Sequence, residues 1–192
     1  MWSAPRSGTG VTSRLLLALG DGAVPAVVAA HAPADRPLTI GYVPDATRAD
    51  PDAPWAQAER DGVASLGHAI VDVRLTGATA QQVAEALERV DVLYVAGGNT
   101  FALMDALRTS GADAIVVERV RAGLPYIGLS AGSIVAGPST EPATLMDDPA
   151  EAPGLADRLG LGLTDAVVVP HADGKLPPYP LELIGRTLDR FG

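Results

Sequence analysis

The chain contains no cysteine among its 192 residues. Disulfides, zinc–thiolate centres and a cysteine nucleophile are therefore excluded. Aromatic residues make up only 4%, which leaves few platforms for stacking nucleobases. Positive charge is also scarce: 14 Lys and Arg stand against 23 Asp and Glu, a formal net charge of −9. That balance argues against nucleic acid or an anionic membrane surface as a partner. No uninterrupted apolar run reaches the roughly 18 residues of a spanning helix, so no membrane segment is expected. The start of the chain carries Arg6 and Arg14 but no hydrophobic stretch ahead of a cleavage site, and the run 15–19 is short and soon followed by Asp21. The expectation is a cytoplasmic protein whose residues 1–13 are disordered.

What remains is a chain that should fold. Apolar residues make up 47% and charged residues 19%, and residues 14–192 suffice for one domain with a full core. Apolar runs at 14–19, 38–43, 69–75, 91–96, 124–129 and 165–169 read as strands. Segments 23–32, 55–66, 78–90, 100–108, 112–122, 131–136 and 181–191 read as helices. Val83, Ala86, Leu87 and Val90 fall at three- and four-residue spacing in the third of these. Thr100 is placed to cap the fourth, and residues 138–153, with four prolines and four acidic residues, read as a surface loop. Strands that are apolar throughout, alternating with helices, predict an α/β fold with a mainly parallel sheet of about five or six strands and helices on both faces. Ligands of such sheets sit at the carboxyl ends of the strands.

The densest signal is Gly128-Leu129-Ser130-Ala131-Gly132, where an apolar run passes directly into a helix-compatible segment. The pattern is that of a nucleophile elbow. Small residues on both sides permit a turn so tight that it lifts the serine hydroxyl out of the sheet edge. The bland alternative is a strand followed by a helix with a serine cap. A serine nucleophile needs a base, normally histidine. His31 and His68 fall on a helix or at strand starts, the wrong end of the sheet. His171 follows the run 165–169, so it shares the carboxyl edge with Ser130. The N–H of Gly98 or its neighbour, in the turn Gly97-Gly98-Asn99, pairs with that of Ala131 as a candidate oxyanion hole.

The segments VAGGNTFALMDAL (95–107), YIGLSAGSIVAGPS (126–139) and VVVPHAD (167–173), in this order, resemble the peptidase E family. These are serine peptidases that include aspartyl dipeptidases, within the class I glutamine amidotransferase-like superfamily. The resemblance implies a flavodoxin-like fold, Ser130 as nucleophile, His171 as base, and hydrolysis of short peptides with an N-terminal aspartate, without metal or cofactor. It also implies further strands after the histidine region, one of which carries an acidic triad member, and this sequence offers no matching position before Gly192. Asp173, two residues beyond the histidine, is the first choice of acid, with Asp147 and Asp148 as alternatives. The family's arginine for a substrate aspartate has no convincing match among Lys175, Arg186 and Arg190. A bare sheet edge left by missing strands predicts a homodimer. Two functions are open at this stage. One is a serine peptidase acting on small peptides; the other is a catalytically weak relative acting as a binding or assembly protein.

Overall fold

Five parallel strands form one sheet in the order β1-β5-β4-β2-β3, in a computed structural model that describes residues 15–18 and 21–191. The expectation for residues 1–13 lies outside the described residues. The strands are β1 (Leu15–Ala18), β2 (Thr39–Val43), β3 (Ala69–Asp72), β4 (Val92–Val95) and β5 (Tyr126–Leu129). Between and after them come α1 (Val24–His31), α2 (Pro54–Ala64), α3 (Ala80–Leu87), α4 (Thr100–Ser110), α5 (Ala112–Arg121), α6 (Ala131–Ala136) and α7 (Leu181–Phe191). The α/β fold expected from the alternation is the one observed.

Burial explains the pattern. Every residue of β4 is buried, as are Ile40 to Val43 of β2, which is why these strands read as unbroken apolar runs. Two core layers sandwich the sheet. One packs Leu93, Val95 and Tyr126 against Leu103, Leu107, Val116 and Val135. The other packs Ile40, Tyr42, Tyr94 and Ile127 against Val24, Val28 and Val63. The helices start where local chemistry lets them. Pro54 supplies the fixed φ of a first turn, and Thr79 with Gln82 closes a capping box on α3.

Three expectations need correction. Residues 165–169 form no strand. β1 already pairs with β5, from Leu15↔Tyr126 to Ala18↔Leu129, so the sheet position beside β5 is taken. The segment instead passes over the end of α6, with Ala166 and Val168 beside Gly137. The same pairing means that the edge of β5 is covered from within the chain. Second, Asn99 rather than Thr100 caps α4, its Oδ1 accepting from the N–H groups of Phe101 and Ala102 at 2.9 Å each. Third, residues 138–153 are more than a surface loop: Ala143 and Ala152 are buried in a cluster with Phe101 and Ile134.

Candidate active site

The site begins with a steric constraint. A Cβ at Gly128 would collide with the Gly132 carbonyl, and a Cβ at Gly132 would collide with the Val95 carbonyl of the neighbouring strand. Two glycines are thus what allow β5 to turn into α6 within one residue. Two buried hydrogen bonds lock the turn: Tyr126 donates to the Gly132 carbonyl at 2.6 Å and Ser133 to the Gly128 carbonyl at 2.7 Å. Ser130, at the apex, is held at φ 47°, ψ −106°, the strained backbone that such an elbow imposes on a residue with a side chain.

His171 is the other non-glycine residue with positive φ among the described residues, at 59°. Its Nε2 lies 3.1 Å from Ser130 Oγ. For the hydroxyl to donate to Nε2, the neutral ring must carry its proton on Nδ1. Tyr179 stacks on the imidazole, with centroids 4.7 Å apart and planes 9° from parallel. The chain returns to make that stack through two turns, Gly174 N–H to the His171 carbonyl at 2.9 Å and Tyr179 N–H to the Leu176 carbonyl at 2.8 Å. Burial holds the His171 pKa below its ordinary 6.5, opposed by the fields of Asp147 and Asp173.

Ser130 and His171 line a cleft of about 580 Å³, together with Gly97, Gly98, Trp55, Glu59, Asp147 and Tyr179 among others. The turn after β4 faces the serine: a Cβ at Gly97 would lie 3.4 Å from Ser130 Cβ. At Gly98, with φ 134°, a side chain would run into the Ala46 carbonyl. His31 and His68 are elsewhere. His31 ends α1, its Nδ1 2.8 Å from the Val27 carbonyl, and the Leu38 N–H donates to His68 ahead of β3.

The three carboxylates proposed from sequence fare differently. Asp173 is exposed and turned to Lys175, accepting from its N–H at 3.2 Å and pairing with its ammonium at 3.4 Å. Asp148 is exposed and caps a short 3₁₀ turn by accepting from the Ala150 N–H at 2.8 Å. Asp147 is half-buried in the cleft and accepts from the Thr100 N–H at 2.8 Å. Burial raises its pKa, while Thr100 and the field of His171 oppose that rise. None of the three hydrogen-bonds to the imidazole among the described residues. No group of three or more His, Cys, Asp or Glu is arranged for a metal ion among them either.

Sequence reasoning missed two lining residues. Tyr179 sits between Pro178 and Pro180, and an aromatic flanked by prolines in an otherwise polar loop was its signal. Glu59 projects from α2 with both carboxylate oxygens accepting from the Gly97 N–H, at 3.1 and 3.3 Å. Its signal was an acidic residue four positions after Trp55, hence on the same helix face.

A parallel α/β sheet with a serine on a strand–helix elbow and a histidine within hydrogen-bond reach defines the general class. The chain belongs to peptidase family S51, whose profile matches residues 30–186. It is 32% identical over 133 residues to the uncharacterized peptidase Lin0382 of Listeria innocua, a match covering 69% of this chain and 64% of that one. It is 37% identical over 113 residues to Peptidase E of Streptomyces coelicolor, covering 56% of this chain and 45% of that one. A crystal structure of a candidate peptidase E protein from Listeria monocytogenes EGD-e superposes with a TM-score of 0.81 at 26% identity, covering 92% of this chain and 86% of that one. The chain spans less than two thirds of the length of these two curated relatives. No helix among the described residues is long and apolar enough to cross a membrane.

Proposed function

We propose that this chain is a serine peptidase that hydrolyses short peptides through Ser130 and His171. The observation that carries this reading is the 3.1 Å contact between Ser130 Oγ and His171 Nε2, at the wall of a cleft of a size that holds a short peptide. Ser130 Oγ attacks the scissile carbonyl while His171 Nε2 takes its proton. The tetrahedral oxyanion is held by the N–H groups of Ala131 and Gly98. Ala131 opens α6, so its N–H has no partner inside that helix, and Gly98 lines the same cleft, next to Gly97, which faces Ser130. Collapse breaks the C–N bond, and His171 returns the proton to the leaving amine. Water, deprotonated by His171, then attacks the ester, and the acid product departs as Ser130 regains its proton.

The imidazolium formed in each half needs support. Asp147 supplies it better than Asp173. The field of Asp147 is the larger of the two on the ring, and burial shields Asp147 from solvent screening, whereas the Asp173 carboxylate is exposed and already answered by Lys175. Tyr179 fixes the ring plane, a task that a hydrogen-bonded carboxylate performs in other triads. The test is covalent labelling with a fluorophosphonate followed by peptide mapping. The expected adduct is on Ser130 and disappears in Ser130→Ala. A wild-type protein that stays unlabelled would overturn the proposal and leave a non-catalytic binding or assembly role.

A further inference from the structure

The cleft beside Ser130 has an unusual charge pattern. Its carboxylate and imidazole lining residues are Asp50, Glu59, Asp147, Asp148, Glu151 and His171, with no lysine or arginine. Asp147 and Asp148 accept from the N–H groups of Thr100 and Ala150, Asp50 and Asp148 are exposed, and Glu151 is half-buried. Glu59 differs. It is on the cleft wall nearest the nucleophile, because its Oε2 and Ser130 Cβ stand 3.3 and 3.4 Å from the same Cβ position of Gly97. The carboxylate accepts from the Gly97 N–H and from the Tyr94 hydroxyl, two neutral donors. No ion pair to it exists among the described residues. Its neighbour Arg60 points the other way, pairing with Asp72 at 2.6 Å and lying over the Tyr42 ring.

We propose that Glu59 receives the free α-ammonium of the substrate, so that the cleft reads an unblocked amino end and disfavours an acidic first side chain. This rests on the peptidase reading of the same site. The chemistry is direct. In a substrate cut after its first residue, the α-nitrogen is two bonds from the scissile carbonyl carbon. A group that binds it must therefore lie close to the nucleophile and on the wall that also carries the oxyanion turn. Glu59 meets both conditions through Gly97. An ammonium adds the missing counter-charge to a carboxylate that lines the cleft, and charge-assisted bonds of this kind are the strong ones. Burial pushes the Glu59 carboxyl up to about 7, as befits an anion held without a cation. Trp55, one helical turn earlier on the same face and 53% exposed, offers an apolar surface for the first side chain. An aspartate there would meet five carboxylates and no cation.

The experiment compares alanyl-, N-acetylalanyl- and aspartyl-p-nitroanilide on the purified protein and its Glu59→Gln variant. In the wild type the unblocked alanyl substrate is preferred over the acetylated one, and over the aspartyl one. In Glu59→Gln the unblocked-to-acetylated ratio of kcat/KM falls by about ten-fold or more, mostly through a higher KM, the scale of one lost charge-assisted contact. A residue that merely held Gly97 in place would depress both substrates together. A ratio that stays within about two-fold, or an aspartyl preference in the wild type, overturns the inference. Should the variant fail to fold, inhibition of the wild type decides: alaninamide binds about ten-fold or more tighter than N-acetylalaninamide, and equal inhibition overturns the inference. Fluorophosphonate labelling separates the two levels of the argument. If Ser130 is labelled but the ratio does not move, Glu59 is not the amine site; if Ser130 is not labelled, the peptidase reading falls and the inference with it.

Discussion

The two halves of the Ser–His pair are built by opposite means. Ser130 stands on an elbow cast from the core: β5 is buried on both sides, two glycines fit against carbonyls with no room for a methyl group, and two buried side-chain hydrogen bonds fasten the turn. His171 stands on a segment without regular structure, residues 170–180, held by two turn hydrogen bonds and one aromatic stack. The first region positions its residue by excluding alternatives. The second positions its residue with a few contacts, each removable. Geometry at the nucleophile should therefore resist change until the fold gives way, and geometry at the base should degrade gradually.

Substitutions can break this contrast in order of size. Ser130→Ala removes the proposed nucleophile and is expected to lower peptide hydrolysis by roughly 10⁶-fold without loss of folding, since the hydroxyl faces the cleft. His171→Ala is expected to cost on the order of 10³-fold or more in kcat. Gly132→Ala tests the elbow. A methyl group driven into the Val95 carbonyl has backbone, not a flexible side chain, to displace, and should destabilise the protein by about 3 kcal/mol or prevent folding, read by denaturant unfolding. Tyr179→Ala tests the loop. It should lower kcat by about ten- to a hundred-fold while shifting stability by no more than about 1 kcal/mol. A Tyr179→Ala variant with full activity would mean that the ring needs no stack, and the contrast would fail on its weaker side.

The same contrast explains what could be read from the sequence. The elbow was legible because sterics leave no other residue type at positions 128 and 132, so the pattern itself carries the geometry. The sheet was legible because β4, residues 40–43 of β2 and residues 126–128 of β5 are buried and thus apolar. The strand expected at 165–169 was not. Its Val167, Val168 and Val169 have strand-like chemistry, but strand formation needs a free edge, and β1, far away in sequence, occupies the one beside β5. The acid we propose was not legible either. Proximity in sequence favoured Asp173, yet the turn that gives His171 its positive φ sends Asp173 toward Lys175, while Asp147 reaches the cleft from a loop 24 residues earlier through its bond to Thr100. Glu59 and Tyr179 were hidden for a related reason: each is ordinary for its local segment and becomes informative only when distant elements meet.

The smaller effects sharpen the account. Asp147→Asn should lower kcat by about ten-fold or more by removing the charge that supports the imidazolium, whereas Asp173→Asn should stay within about two-fold because its carboxylate is exposed and screened. Glu59 has a stability signature as well. Its carboxyl holds a proton more tightly in the folded state, with a pKa about 7 against an ordinary 4.5. The folded protein therefore binds more protons than the unfolded chain between those values, and stability falls as pH rises through that window. Glu59→Gln removes this dependence and should be more stable than the wild type above pH 7 by about 1–2 kcal/mol, after allowance for partial solvent screening. Thermal unfolding of both proteins across pH 4–8 reads it directly.

The central claim is that Ser130 is activated by His171, and the pH dependence of fluorophosphonate labelling tests it most directly. The rate of adduct formation on Ser130 should rise with pH to a plateau, with a midpoint below the ordinary histidine value of 6.5 because burial favours the neutral ring. That limb should vanish in His171→Ala, with the rate falling on the order of 10³-fold, and should survive in Glu59→Gln, which removes the other cleft group that titrates near neutrality. Labelling of Ser130 that is independent of pH and unaffected by His171→Ala would contradict the account.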